Sequence, residues 1–193
     1  MNLPNKLTVL RLFLAFIFIV LLLLPGLLTK TLALLTFIAA SLTDYMDGYL
    51  AKKHNQITDF GKLMDPIADK VLVLSAFLAF VQMQLVPAWM VVIIIFRELA
   101  ITGLRALALA NGKVVEADLG GKHKTACQAL SIFIILIFII FKEVAPTASS
   151  GRTGDLYKNA IFFLMLITVT LTLMSGLSYL VKNRGVYANA KKS

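Results

Sequence analysis

Charge is scarce in this chain: 15% of its 193 residues are charged and 59% are hydrophobic. Mean hydropathy is +0.86. A water-soluble domain of this length would need far more polar surface, so the composition indicates an integral membrane protein. Cysteine is limited to Cys127, which excludes an intrachain disulfide. His54 and His123, with that one cysteine, do not make zinc-ligand spacing. Acidic residues number 10 against 19 basic ones, a formal charge of +9. No soluble domain is there to present a basic face, so a nucleic-acid partner is not expected. Polar linkers and internal repeats are also missing, and residues 1–193 read as a single membrane domain.

What fills the chain is a series of long apolar runs. They mix Leu, Ile, Phe and Val without strict alternation, which argues for helices and against a β-barrel. Six spans are predicted: Leu7 to Leu24, Thr31 to Leu50, Pro66 to Met83, Pro87 to Leu107, Thr125 to Phe141, and Ile161 to Val181. The first has no small-residue cleavage site after it and is expected to stay as a signal-anchor helix. The fold class is therefore all-α, a polytopic membrane protein of six transmembrane helices with a cytoplasm-facing polar cavity.

Positive charge gathers on one side of these spans: Lys6 and Arg11, then Lys52, Lys53 and Lys62, then Lys113, Lys122 and Lys124, then Lys182, Arg184, Lys191 and Lys192. The other side is poorer, with Lys142, Arg152 and Lys158 as exceptions. The positive-inside rule places both termini in the cytoplasm, and the excess charge also suits anionic lipid. Trp89 reads as an interface anchor. Gly103 and Gly176 read as sites of close helix contact, and Gly151 to Asp155 as an external loop.

Against this background four carboxylates stand out, Asp44 with Asp47 and Asp65 with Asp69. Ionised groups at the edge of a bilayer are costly and are rare unless they do chemistry or carry ions. Asp44 and Asp47 fall roughly 60° apart on a helix, on the face that also holds Gly48 and Ala51. Asp65 and Asp69 are one turn apart, shortly after Gly61. For the second pair a structural reading competes, since Asp65 before Pro66 fits a helix N-cap. For the first pair it fits poorly, because negative charge is disfavoured near a helix C-terminus. Asp59 reads as a loop residue. If the two helices are neighbours, the carboxylates converge and need cations to stay ionised together. All-oxygen ligation selects Mg²⁺ or Mn²⁺, with Ca²⁺ able to occupy the site, and four charges match two divalent ions. Two metals in a carboxylate site are suited to displacement at phosphorus. The residues thus point to a metal-dependent phosphoryl or phosphodiester transferase acting on a membrane-associated substrate.

The spacing D-x2-D-G-x2-A-K-x8-G-x3-D-x3-D, from Asp44 to Asp69, resembles the signature of the CDP-alcohol phosphotransferase family. One position departs, with Lys52 where the family has arginine; the charge is kept and the bidentate fork lost. The opening N-L-P-N-K-L-T-V-L-R is similar to the start of that family, and F-R-E-L-A-I-T-G-L-R with G-K-H-K-T is similar to its phosphatidylglycerophosphate synthases. The resemblance implies a homodimer of six-helix chains in the cytoplasmic membrane, bacterial in type. Its reaction would be CDP-diacylglycerol plus sn-glycerol 3-phosphate giving phosphatidylglycerophosphate and CMP. It assigns Asp44, Asp47, Asp65 and Asp69 to the metals, and Asp69 also to proton abstraction from the acceptor. Gly48, Ala51, Lys52 and Gly61 would surround the cytidine diphosphate, joined by Asn5 and Thr8, although a helix N-cap explains Asn5 too.

The acceptor phosphate needs cations of its own. Arg97 and Glu98 lie mid-span, where a charge must face the bundle interior. Arg105 follows two turns later, about 80° around the helix, and Lys122 and Lys124 precede the fifth span. The competing reading is an Arg97–Glu98 structural pair with topogenic lysines. Two other functions stay open: a cardiolipin synthase or another member with a different acceptor, and an ion or proton transporter. The transporter would be expected to show inverted repeats, which the sequence does not display.

Overall fold

A computed structural model of the chain describes the backbone of residues 3–54, 59–110, 119–146 and 151–183, and the side chains of residues 9–43, 68, 70–108, 124–146 and 151–183. Among the described residues the protein is all-helical, with six helices and no strand. They are α1 (Leu3–Leu23), α2 (Leu27–His54), α3 (Asp59–Gln82), α4 (Ala88–Ala110), α5 (Leu119–Val144) and α6 (Gly151–Lys182). Two of them, over Lys124–Val144 and Gly151–Lys182, are long and apolar enough to cross a membrane; Val9–Leu23, Leu27–Thr43 and Lys70–Gln82 are shorter apolar stretches.

Several helices run past the apolar spans that announce them. Hydropathy marks where side chains are apolar, whereas a helix continues for as long as its backbone bonds are satisfied. Gly151 to Asp155 is accordingly the start of α6 and not an external loop, and Asp59 opens α3. Asp65 and Pro66 lie more than a turn inside α3, so the N-cap reading of Asp65 fails. Asn5 likewise falls within the first turn of α1.

The connections are short. Between α1 and α2 the chain turns at Gly26, whose φ of 108° only glycine adopts easily. The Thr29 hydroxyl closes this turn on the Gly26 carbonyl at 2.7 Å. The α3 end closes as a Schellman motif: Leu85 N–H reaches the Phe80 carbonyl at 2.9 Å and Gln84 N–H the Val81 carbonyl at 2.9 Å. The left-handed position is held by Gln84 (φ 58°), a side chain where glycine is the usual choice.

α1 packs along both α2 and α3, α6 lies against α4 and α5, and α2 also meets α5. The expected neighbours α2 and α3 touch directly, and α1 joins them along its length. Its buried stripe is Ala15, Phe18 and Leu22, against Ala33, Phe37 and Ala40 of α2. Alanines at a helical spacing let the two axes approach, and Phe18 and Phe37 fill the gap with ring centroids 5.7 Å apart. One turn before Ala15 the same stripe holds Arg11, only 1% exposed. Sequence reasoning placed Arg11 among the topogenic charges; it is instead inside the bundle.

The interior is zoned along its length. On α5 the buried positions change from Lys124, Gln128 and Ser131 to Ile132, Ile135, Leu136 and Ile139. On antiparallel α6 they change from Ile161 and Met165 to Thr168, Thr172, Ser175 and Tyr179. The two polar halves face each other, with Ser131 and Thr168 hydroxyls 2.7 Å apart and Gln128 donating to Thr172 at 3.4 Å. Outside, the helices expose Phe16, Leu28, Val92, Phe96, Phe163 and Leu177, each more than 60% accessible. A soluble surface has no use for such a belt.

Candidate functional site

The sequence-predicted acids are carried by α2 and α3. α2 brings Asp44, Asp47, Gly48, Ala51 and Lys52 to its C-terminal half, and α3 brings Gly61, Asp65 and Asp69 to its N-terminal half. The helical backbone keeps Asp44 with Asp47, and Asp65 with Asp69, each on one face. Their side chains, with those of Asn5, Thr8 and Lys122, lie outside the described residues. As a donor set, four carboxylates on two helices that touch are oxygen ligands suited to hard divalent cations.

Among the described residues α3, α4 and α5 build a cluster around Glu98. On α4, Met90, Ile94 and Ile101 form a buried stripe, and Glu98 occupies the position in register between them, 6% exposed. Its Oε1 takes an ion pair from Lys124 of α5 and another, at 3.3 Å, from Nη1 of Arg97. A carboxylate at this depth requires such partners, since an unpaired buried charge is strongly destabilising. Lys70 enters from α3, its ammonium donating to the Thr102 hydroxyl and, at 3.3 Å, to the Glu98 carbonyl. Thr102 donates in turn to that same carbonyl at 2.7 Å.

Among the described residues the cluster holds three cations, Lys70, Arg97 and Lys124, around the Glu98 carboxylate. Arg97 and Lys124 meet here as the sequence suggested, and Lys124 is buried instead of topogenic. Arg105 goes elsewhere: its guanidinium lies over the Tyr179 ring, 5.6 Å from the centroid, and remains exposed. The Arg97–Glu98 pair exists as the competing reading had it, but within this larger cationic group.

Sequence reasoning missed Lys70 and Ser175. Lys70 follows Asp69 directly, so the third helix carries a carboxylate and an ammonium side by side in sequence. That adjacency was the available signal. Ser175 accepts from Arg97 Nη2 at 3.0 Å, and nothing in the α6 sequence announces it. Gly176 does sit at a close contact, though against the Arg97 side chain; Gly103 has open space where a Cβ would be.

The described interior thus sets a buried ionic cluster within a bundle whose exterior is apolar. Comparison with known proteins makes the class definite. Residues 1–173 match the CDP-alcohol phosphatidyltransferase family. A CDP-diacylglycerol--glycerol-3-phosphate 3-phosphatidyltransferase of Bacillus subtilis (strain 168) is 39% identical, covering 94% of this chain and 95% of the relative. The protein so named in Rickettsia typhi is 34% identical over 92% and 94% of the two chains, and that of Cereibacter sphaeroides 32% identical over 83% and 74%. The chain belongs to the CDP-alcohol phosphatidyltransferase family and is an enzyme of that transferase class.

Proposed function

We propose that the protein transfers the phosphatidyl group of CDP-diacylglycerol to sn-glycerol 3-phosphate, giving phosphatidylglycerophosphate and CMP. The observation that carries the acceptor assignment is the gathering of Arg97 and Lys124 on buried Glu98, with Lys70 joining from the helix that also bears Asp69. Glycerol 3-phosphate is a small dianion and suits such a cationic cluster; a neutral alcohol such as inositol carries no charge to meet it. The curated relatives bear names that specify the same acceptor.

In this reading Arg97 and Lys124 grip the acceptor phosphate, with Lys70 adding charge from α3 and Lys122 standing in the first turn of α5. Asp69 accepts the proton of the acceptor hydroxyl, whose oxygen forms the new bond to the diacylglycerol-bearing phosphorus as the bond to CMP breaks. Asp44, Asp47, Asp65 and Asp69 would hold two divalent cations, Mg²⁺ or Mn²⁺ with Ca²⁺ able to substitute. Bound there, the cations supply charge neutralisation at the diphosphate. Gly48, Ala51 and Gly61 leave room for the nucleotide on the faces that carry the acids, with Asn5, Thr8 and Lys52 beside it. The six helices cross the cytoplasmic membrane with both termini and the acids on the cytoplasmic side, and two copies associate within it. The apolar exposed belt supports the membrane placement.

Purified protein in detergent, given CDP-diacylglycerol, Mg²⁺ and labelled glycerol 3-phosphate, should release CMP and pass label into lipid, and Asp69→Asn should do neither. CMP release only with phosphatidylglycerol, serine or inositol would move the acceptor assignment within the family. Full turnover by Asp69→Asn would remove Asp69 as the base.

A further inference from the structure

Arg97 is held from behind by α6. Its Nη2 donates to the Ser175 hydroxyl at 3.0 Å, and its stem lies across Gly176 so closely that a Cβ there would stand 3.1 Å from Cγ and 3.3 Å from Nε. Both residues are buried, and the Arg97 side chain is 10% exposed. Nη1 is engaged by Glu98 at 3.3 Å, so both terminal nitrogens of the guanidinium are tethered by different helices. Among the described residues Arg97 Nε is buried with no hydrogen-bond partner. A buried guanidinium donor without a partner is costly, and here it belongs to a group fixed on two other edges. A planar guanidinium serves a phosphate only in one orientation, since its donors form a rigid fork.

We propose that Ser175 and Gly176 are positioning residues that set the guanidinium plane of Arg97 for the acceptor phosphate, making α6 a specificity element of the site. This rests on the assignment of Arg97 to that phosphate. Ser175 fixes the rotation of the fork, and the missing side chain at 176 fixes its depth. A displacement of the fork weakens the acceptor and leaves CDP-diacylglycerol untouched.

The test compares Ser175→Ala, Ser175→Thr, Gly176→Ala and Arg97→Gln by steady-state kinetics with each substrate varied in turn. Losing a hydrogen bond to a charged group is expected to raise KM for glycerol 3-phosphate on the order of 10-fold in Ser175→Ala, with KM for CDP-diacylglycerol within about twofold. Ser175→Thr keeps a hydroxyl and should restore the wild-type value. Gly176→Ala should resemble Ser175→Ala; should it fail to fold, the serine pair decides. If Arg97→Gln raises KM for glycerol 3-phosphate but the α6 variants do not, this inference is overturned and the acceptor site stands. Equal loss of kcat with both KM values unchanged would mark α6 as merely structural. If Arg97→Gln leaves that KM unaltered, the acceptor assignment itself falls, and this inference with it.

Discussion

Glu98→Gln is the substitution whose outcome the cluster fixes most tightly. It keeps the shape of the side chain and removes the one described carboxylate between Lys124, Arg97 and Lys70. Glu98 is 6% exposed and Lys124 is 6% exposed, so water cannot take over the solvation of the stranded cations. Breaking a buried ion pair from one side costs about 3–5 kcal/mol, a large share of the roughly 5–15 kcal/mol that holds a typical domain together. The cluster becomes more positive by one charge, so an added dianion should rescue the variant more than it helps the wild type. A ligand at 100 times its Kd adds about 2.7 kcal/mol, enough to recover much of the loss. The assay is thermal unfolding in detergent with and without glycerol 3-phosphate. Glu98→Gln should melt well below wild type and regain a larger part of the difference on addition of the ligand. A variant as stable as wild type, or one that the ligand lifts no more than wild type, would refute the assignment of Glu98 as the internal counter-charge of an anion site.

Three further outcomes are expected. Lys70→Met should raise KM for glycerol 3-phosphate on the order of 10-fold, because one of the three cations is removed while Glu98 keeps its partners Lys124 and Arg97; an unchanged KM would remove Lys70 from the site. Gln84→Gly should stabilise the protein by about 0.5–1 kcal/mol in thermal unfolding, since residue 84 sits at φ 58° where a side chain is strained. A double-mutant cycle of Ser131→Ala and Thr168→Val, bonded at 2.7 Å between α5 and α6, should give a coupling of about 0.6 kcal/mol and no more than roughly 1.7; zero coupling would mean that the polar seam adds nothing to the packing.

The apolar runs announced the helices because each is written in consecutive residues, and the aspartates announced themselves because charge is so scarce around them. Glu98 and Arg97 were legible for the same reason. What stayed hidden depends on which helix faces which. Arg11 stands near the start of an apolar run, where a topogenic arginine looks the same; only the packing of α1 along α2 and α3 buries it. Ser175 is an ordinary residue until α6 is laid against α4 and Arg97 reaches it. Helix ends were misread at Gly151 and at Asp65 because a polar first turn and an internal proline carry loop-like chemistry while the backbone continues as helix. Arg105 was grouped with Arg97 by angle alone, and an aromatic ring on a neighbouring helix claimed it.

If all six helices cross the membrane as proposed, the placement of Glu98 and Arg97 in the middle of α4 also bears on how the chain is made. As each segment leaves the ribosome it must choose between lipid and water, and charges near a helix centre penalise insertion by about 2.5–3.5 kcal/mol per residue. α4 has its own internal pair, but Lys124 and Ser175 arrive only with α5 and α6. The fourth helix is therefore a poor solitary passenger for the insertion machinery. It is expected to wait at the channel until the last two helices are synthesised, so that biogenesis of the second half is one concerted event and a truncation before α6 leaves α4 to quality-control proteases.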